Sequence, residues 1–222
     1  MTKEEELEKL INKLEQDAKK LPLAKQKSDI VPPEGNPEAQ LMFIGEAAGF
    51  HEHRLRRPFV GQAGKLLTKS LEEIGLKREK VWISNILKVR PPQNRDPLPE
   101  EIQAFQPYLD EEIRIIEPKV IVTLGRFSMA KFIENAYISQ IHGQARWVNW
   151  KEKRLLIFPM YHPAAALRNG QVMTQFKNDF TKLAKILETL SGQRQEAHIL
   201  QGEEEAGEEP SGDEKNQQLS LI

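Results

Sequence analysis

The sequence predicts an α/β fold, in which a mostly parallel sheet carries helices on both faces. Short apolar runs typical of buried strands alternate along the chain with segments whose apolar residues recur every three to four positions, as in amphipathic helices. Parallel strands need crossover connections, and those connections place helices on the faces of the sheet. The alternation therefore predicts the fold class before any single residue is interpreted.

The predicted elements follow one another in a regular order. Apolar runs predict four buried strands, over about residues 41–44, 81–86, 119–125 and 155–159. Helical periodicity predicts helices over about residues 3–20, 64–74, 100–116 and 128–133, and a last helix marked by Phe176, Phe180, Leu183, Leu187 and Leu190.

Charge divides the chain into two parts. The 222 residues carry a net charge of −1, but residues 191–222 carry −6 and residues 1–190 carry +5. The acidic part is rich in Gly, Glu, Gln and Ser and lacks apolar periodicity until its last residues. We therefore predict one domain over residues 1–190 and a disordered acidic tail over residues 191–222.

Several classes of protein are excluded by composition. The chain has no cysteine, which rules out disulfide scaffolds, thiolate zinc sites and cysteine nucleophiles. No apolar run reaches the roughly 18 to 20 residues of a membrane span, and the first residues lack a signal-peptide pattern, so we expect a cytoplasmic protein without a membrane partner. His51 and His53 have no third ligand in view, and we predict no metal site.

Candidate functional residues follow directly after the predicted strands, because open α/β sheets bind ligands beyond the carboxyl ends of their strands. These segments are residues 45–49, Asn85 with the loop to Arg95, Gly125, and residues 161–163. Each segment alone also has an ordinary interpretation. Glycines permit tight turns, asparagine caps helices, and basic residues cover solvated surfaces.

Together the segments supply the groups that extrusion of a nucleobase requires. Glu46 offers a carboxylate, Phe59 an aromatic face, Asn85 a planar amide and His162 an imidazole. An amide presents donors and an acceptor in one plane, which complements the edge of a pyrimidine, and a phenyl face stacks on an extruded base. Basic side chains around such a pocket hold the flanking phosphates.

Four segments of the chain resemble the motifs of family 4 uracil-DNA glycosylases. They are GEAAG at residues 45–49, RPFVGQAG at 57–64, NILKVRPPQNR at 85–95 and HPAAALR at 162–168. The similarity covers about residues 18–188, with the motifs in the order of that family. The resemblance implies a three-layer αβα sandwich around a four-stranded, mostly parallel sheet. It also implies cleavage of the N-glycosidic bond of uracil in DNA, without a metal in the chemistry.

The resemblance also implies a role for individual residues. Glu46 would position or polarise the attacking water, and His162 would hydrogen-bond uracil O2 as the base departs as an anion. The implied uracil pocket consists of Gly45, Ala47, Phe59, Asn85 and His162. The implied DNA-binding residues are Arg57, Gly61, Gln62, Lys88, Arg90, Arg95, Leu167 and Arg168. Of these, Leu167 and Arg168 match a loop that enters or flanks the DNA.

One departure from the family concerns its iron–sulfur cluster. Family 4 members usually hold a [4Fe-4S] cluster with four cysteines, and the matching positions here are Ala18, Leu21, Val89 and Phe105. All four residues are apolar, and an empty void in their place would be costly. We therefore expect no cofactor, and a hydrophobic plug that ties the N-terminal helix to the loop after Asn85.

The extreme C-terminus resembles a short peptide that binds the bacterial sliding clamp. Its apolar residues stand where a solvating tail needs none, and the peptide comprises Gln218, Leu219, Leu221 and Ile222. On a flexible tether such a peptide would raise the local concentration of the protein on DNA. The expected partners are thus uracil-containing DNA and the clamp, with the protein itself a monomer.

Three functions remain open at this point. The first is a uracil-DNA glycosylase that leaves an abasic site and initiates base excision repair. The second is a homologue that binds uracil or abasic DNA with weak or no catalysis. The third is a glycosylase for another deaminated base, since the small Ala47 and Ala48 in the first loop leave room for a larger pocket.

Overall fold

The computed structural model describes the backbone of residues 1–205 and the side chains of residues 1–190. Two units are distinguished, Met1–Leu183 and Ala184–Ile222. The second unit is described as far as Glu205 and is helical to that point. The disordered acidic tail over residues 191–222 stays a prediction from the composition. Residues 206–222, with the predicted clamp-binding peptide, lie outside the described part.

Eight α-helices and six strands are described, joined by loops that include short 3-10 turns. The helices are α1 (Lys3–Gln16), α2 (Phe50–Leu55), α3 (Gln62–Glu73), α4 (Pro99–Ile116), α5 (Arg126–Ala130), α6 (Ile138–Ile141), α7 (Pro163–Ala166) and α8 (Gly170–Glu205). The strands are β1 (Glu34–Gly35), β2 (Leu41–Ala47), β3 (Trp82–Leu87), β4 (Val120–Leu124), β5 (Arg146–Trp150) and β6 (Lys153–Met160).

All strands belong to one sheet in the order β1-β3-β2-β4-β6-β5. The four central strands are parallel and are the four that the sequence predicts. The expectation of a four-stranded sheet is wrong, however, because an antiparallel strand is added at each edge, β1 beside β3 and β5 beside β6. The fold is therefore α/β with a mixed six-stranded sheet.

The two edge strands lack the apolar runs that identify the central four. β1 is two residues long, which is too short for any pattern. β5 is mostly exposed, it contains Arg146 and Asn149 beside its two tryptophans, and only one of its edges pairs with another strand. A central strand is buried on both faces and so reads as a continuous apolar run, whereas an edge strand does not.

Both faces of the sheet are covered by helices. On one face, Met42 and Ile44 pack in a cluster that includes Ile113 from α4. On the opposite face, the ring of Phe43 stacks on Phe180 of α8 at a centroid distance of 6.3 Å. Adjacent residues of β2 thus point to opposite layers, as the pleat of a strand requires. No helix within residues 1–205 combines the length and the apolar character that a bilayer crossing needs.

A separate apolar cluster joins the N-terminal segment to the end of β3 and to α4. Its buried members are Leu14, Ala18, Leu21, Ala24, Ile30, Leu87, Val89 and Phe105. Phe105 and Val89 are almost inaccessible to solvent, and the Tyr108 hydroxyl beside them donates to Asp17 at 2.9 Å. The four residues that align with cluster cysteines therefore pack together within this cluster. We call the whole cluster of eight buried residues the plug.

Truncation of Phe105 to alanine will test how much the plug stabilises the domain. We expect Phe105→Ala to lower the free energy of unfolding by about 3–5 kcal/mol, because the fully buried ring leaves a cavity among residues from three segments. Urea denaturation followed by circular dichroism measures the change. Tyr137→Ala, at a 71% exposed side chain, is the control and should change stability by less than about 0.5 kcal/mol. Equal stabilities of the two variants would contradict a packed plug.

Candidate active site

A cleft of about 650 Å³ opens beyond the carboxyl ends of the parallel strands. Its volume falls in the range typical of small-molecule sites. Among the residues that line it are Glu46, Ala47, Phe59, Asn85 and His162, which the sequence predicts as site residues. Strands β2, β3 and β6 and the loop before α3 thus bring together groups that are far apart in the sequence.

Gly45 lies directly beneath two of these groups. Its register partner across the sheet is Asn85, and a Cβ atom at position 45 would collide with the Oδ1 atom of Asn85 and with the ring of Phe59. Any larger residue would push the amide or the ring out of place. The predicted pocket residue Gly45 is therefore required for the close approach of the other two.

The amide of Asn85 is buried and has an atom without a partner. The residue is 4% exposed, and its Oδ1 atom accepts no hydrogen bond from the described residues. Leaving a buried acceptor unsatisfied costs free energy, and such atoms in native structures usually have a ligand or a functional role. The geometry thus offers an acceptor to a donor that enters the cleft.

Lys88 supports Asn85 from inside the protein and is not available to DNA. The prediction that Lys88 binds DNA is wrong: its side chain is 1% exposed, and its Nζ forms an ion pair with the equally buried Glu112 at 2.7 Å. The same ammonium donates to the Ser84 hydroxyl at 2.6 Å and to the Asn85 carbonyl at 2.9 Å. Burial lowers the pKa of Lys88, and the adjacent Glu112 carboxylate opposes that shift.

Phe59 adopts a strained backbone conformation with a φ of +51°. The left-handed region costs a residue with a Cβ atom about 1–2 kcal/mol, so the surrounding structure must hold it there. Arg78 donates to the Phe59 carbonyl at 3.0 Å and to the Pro58 carbonyl at 2.5 Å. Gly64 gives the same segment space, since a Cβ atom there would collide with the Phe59 carbonyl.

Glu52 holds the other side of this loop. Its Oε1 atom accepts from the backbone N–H groups of Val60 at 3.1 Å and Gly61 at 2.8 Å. Arg78 in turn is paired with Glu34 of β1 at 2.7 Å. Two side chains of opposite charge therefore fix both the carbonyls and the amides of the segment that carries the Phe59 ring.

His162 is positioned for donation of a hydrogen bond by a neutral imidazole. The backbone N–H of Ala164 donates to its Nδ1 atom at 3.1 Å, which places the ring proton on Nε2. Burial, with a smaller contribution from Arg168, lowers the pKa of His162 to about 4. The imidazole is thus neutral near pH 7, and its centroid lies 5.7 Å from that of the Phe59 ring.

Glu46 has the opposite shift. Burial raises the pKa of its carboxyl group, the nearby Asp96 raises it further, and Arg126 opposes both effects. Asp96 and Arg126 also line the cleft and form an ion pair with each other. A carboxylate whose pKa is raised towards neutrality is a better proton acceptor than an ordinary glutamate.

The other predicted DNA-binding residues are placed differently from one another. Arg95 and Arg168 line the cleft, and Arg95 is paired with Glu101 at 2.5 Å. Leu167 is 48% exposed next to Arg168. Gly61 is the N-cap of α3 and Gln62 is its first residue. Arg90 donates to Asn94 at 2.8 Å on the edge of the cleft. Arg57 points to Glu34 instead, at 2.7 Å, and does not line the cleft.

Sequence reasoning missed the contributions of Arg78, Asp96 and Arg126. Arg78 lies in a basic turn, KREK at 77–80, that reads as solvated surface, and no local signal reveals that it reaches Phe59. Arg126 follows Gly125, which the sequence does place at a strand end. The position of Arg126 near the cleft could therefore have been predicted from the topology alone.

The residues present do not fit a four-cysteine cluster. The plug contains no sulfur, nitrogen or carboxylate ligand among its buried members, and its core is filled by leucine, isoleucine, valine and phenylalanine side chains. Within residues 1–190, no group of three histidine, aspartate or glutamate side chains converges as a metal site.

Comparison with known proteins agrees with the geometry. The model of the uracil DNA glycosylase superfamily matches residues 32–190. The type-4 uracil-DNA glycosylase of Sulfurisphaera tokodaii is 48% identical over 174 residues, which are 76% of this chain and 79% of that protein. The type-4 enzymes of Archaeoglobus fulgidus and Thermotoga maritima are 44% and 38% identical, over 76% and 74% of this chain and 87% and 85% of their own lengths. This chain therefore belongs to the uracil-DNA glycosylase superfamily, in its type-4 branch.

Proposed function

We infer that this protein is a uracil-DNA glycosylase, which hydrolyses the N-glycosidic bond of deoxyuridine in DNA and leaves an abasic site. The observation that carries this function is the buried, unpartnered Oδ1 atom of Asn85 beside the ring of Phe59, in a cleft that also holds His162. Membership of the type-4 branch supports the same activity. The released uracil and the abasic site are the first products of base excision repair.

Recognition of uracil follows from the hydrogen-bonding groups of the base. Uracil carries an N3–H donor between two carbonyl oxygens, so Asn85 can accept from N3–H through Oδ1 and donate to O4 through its amide nitrogen. We assign base stacking to Phe59, whose ring position is fixed by the strained loop. Gly45 and Ala47 keep the floor of the pocket open.

Cleavage is assigned to His162 and Glu46. As the bond between C1′ and N1 breaks, its electron pair passes to the base, and negative charge develops on uracil O2. The Nε2–H group of His162 donates to this oxygen and stabilises the leaving anion. The donor is a neutral imidazole and not an imidazolium cation. Glu46 accepts the proton of the water whose oxygen bonds to C1′, and its raised pKa suits this role.

The surface around the cleft suits a nucleic acid strand. Arg90, Arg95 and Arg168 lie at or beside the cleft, and residues 1–190 carry a net charge of +5. Phosphate contacts of this kind position the strand and do not depend on its sequence. Leu167, exposed beside Arg168, is an apolar side chain of the type that fills the space of an extruded nucleotide.

The apolar plug supports a glycosylase that functions without the cluster of its relatives. Buried leucine, valine and phenylalanine packing joins the same segments that a cluster with four cysteine ligands would join. This packing holds the N-terminal segment against the end of β3, the strand that carries Asn85. The enzyme we propose accordingly needs no cofactor.

Replacement of His162 tests the assignment of the leaving-group donor. We expect His162→Ala to reduce the rate of uracil release by at least about 100-fold, because loss of one such donor typically costs about 2.7–4 kcal/mol of barrier. Alkali-revealed cleavage of a labelled oligonucleotide with a single uracil measures the rate. A wild-type protein that binds this DNA but yields no strand breaks would favour the binding-only homologue, and a fully active variant would refute the role of His162.

The titration of the His162 ring should reflect its lowered pKa. Since its folded pKa of about 4 lies below the ordinary value of 6.5, the ring stays neutral as the pH falls through 6.5, and the donor persists to about pH 4. Unfolded chains take up the proton first, so this group lowers stability as the pH falls from 6.5 towards 4. NMR titration of His162, assigned with His162→Ala, should show no midpoint near 6.5; such a midpoint would contradict the buried neutral ring.

We also propose that the C-terminal peptide Gln218, Leu219, Leu221 and Ile222 binds the bacterial sliding clamp, and that the protein alone is a monomer. The support is the sequence of the peptide and its place at the end of an acidic segment. Deletion of residues 217–222 should abolish complex formation with purified clamp in size-exclusion chromatography with light scattering. Uracil release from short oligonucleotides should be unchanged, and unaltered clamp affinity after deletion would reject the proposal.

A further inference from the structure

An exposed aromatic residue lies beside the cleft, apart from the residues assigned to base recognition and cleavage. Phe50, the first residue of α2, is 52% exposed and directly follows Gly49, which lines the cleft. Its ring is flanked by the guanidinium of Arg90, 5.2 Å from the ring centroid, and by the edge of the His51 ring at 5.4 Å. Much of the ring surface is left open to solvent.

Arg90 is held in place but keeps its charge available. Its Nε donates to the side chain of Asn94, which lines the cleft, and no carboxylate of residues 1–190 lies within ion-pair distance of it. By contrast, the neighbouring Arg95 is paired with Glu101. An aromatic face next to an unneutralised, fixed guanidinium matches the two parts of a nucleotide, a flat base and an anionic phosphate.

From these contacts we propose that Phe50 and Arg90 form a subsite for the nucleotide next to the extruded uridine. Phe50 stacks on the base of that nucleotide, and Arg90 binds its phosphate. This proposal rests on the proposed function, since it concerns a neighbour of the uridine in the same strand. The subsite would hold the strand at the edge of the cleft while the uracil occupies the pocket that Phe59 and Asn85 line.

The chain provides a matched control for an exposed aromatic residue under an arginine. Trp147 of β5 is 53% exposed, and the guanidinium of Arg154 lies 5.0 Å from its ring centroid. The two pairs therefore have similar exposure and geometry. Trp147 does not line the cleft, however, so its replacement reports the general effect of removing such a ring.

The test compares substrates that do or do not carry the flanking base. Single-stranded oligonucleotides with one uracil are prepared intact, or with the nucleotide on the 5′ or the 3′ side replaced by an abasic tetrahydrofuran. For the wild type, we expect loss of the base on one side to lower kcat/KM about tenfold, within the range known for base–aromatic stacking. Phe50→Ala should lower kcat/KM on the intact substrate by a similar factor. The kcat/KM of this variant should then be the same whether or not the base on that side is present.

Two further variants separate stacking from structural damage. Phe50→Trp should keep the rate and the sensitivity to the flanking base, whereas Phe50→Leu should lose the sensitivity while circular dichroism shows an intact fold. Trp147→Ala should behave as the wild type on all three substrates. The proposal is overturned if Phe50→Ala matches the wild type on the intact substrate, or if it retains the full response to base removal. Absence of uracil release by the wild type would instead refute the proposed function itself.

Discussion

Phe59 is held with a φ of +51° by hydrogen bonds to both sides of its loop, and the geometry of the cleft depends on this restraint. Arg78 binds the carbonyls of Pro58 and Phe59, while Glu52 binds the amides of Val60 and Gly61. The ring then lies over Gly45, where a side chain would displace it. A strained residue of this kind persists only because its surroundings specify it more than once.

Buried charges support the second half of the site. Lys88 and Glu112 are both 1% exposed, and their pairing brings an ammonium against the carbonyl of Asn85. Removing one partner of such a pair leaves an uncompensated buried charge, which typically costs about 3–5 kcal/mol. The pair therefore connects the backbone of Asn85 in β3 to Glu112 in α4. The plug also anchors the end of the same strand to the N-terminal segment.

The electrostatics of the cleft favour neutral hydrogen bonding over charge pairing at the base. Burial holds His162 neutral, and the Ala164 amide fixes its proton on Nε2. Burial and Asp96 together raise the pKa of Glu46. Both shifts have desolvation as their largest cause, so the burial of these two side chains prepares the donor for the leaving base and the acceptor for the water.

The sequence by itself determined the α/β class, the four central strands and several of the residues that line the cleft. Strands buried on both faces read as continuous apolar runs, and the residues after them meet at one edge of the sheet, so Glu46, Asn85 and His162 could be found from local pattern and motif. Four apolar residues of the plug were also identifiable, because the family resemblance aligns each of them with a cluster cysteine; they are Ala18, Leu21, Val89 and Phe105.

Only the tertiary structure decided which partner each charged side chain has and which strands form the edges of the sheet. Lys88 stands in a basic loop and was predicted to bind DNA. In the structure it is buried in an ion pair with Glu112, which lies 24 positions away in the sequence. Arg57 and Arg78 share Glu34 by the same kind of distant pairing. Periodicity reports whether a segment is buried, whereas the partner of a charge depends on which segments the fold brings together.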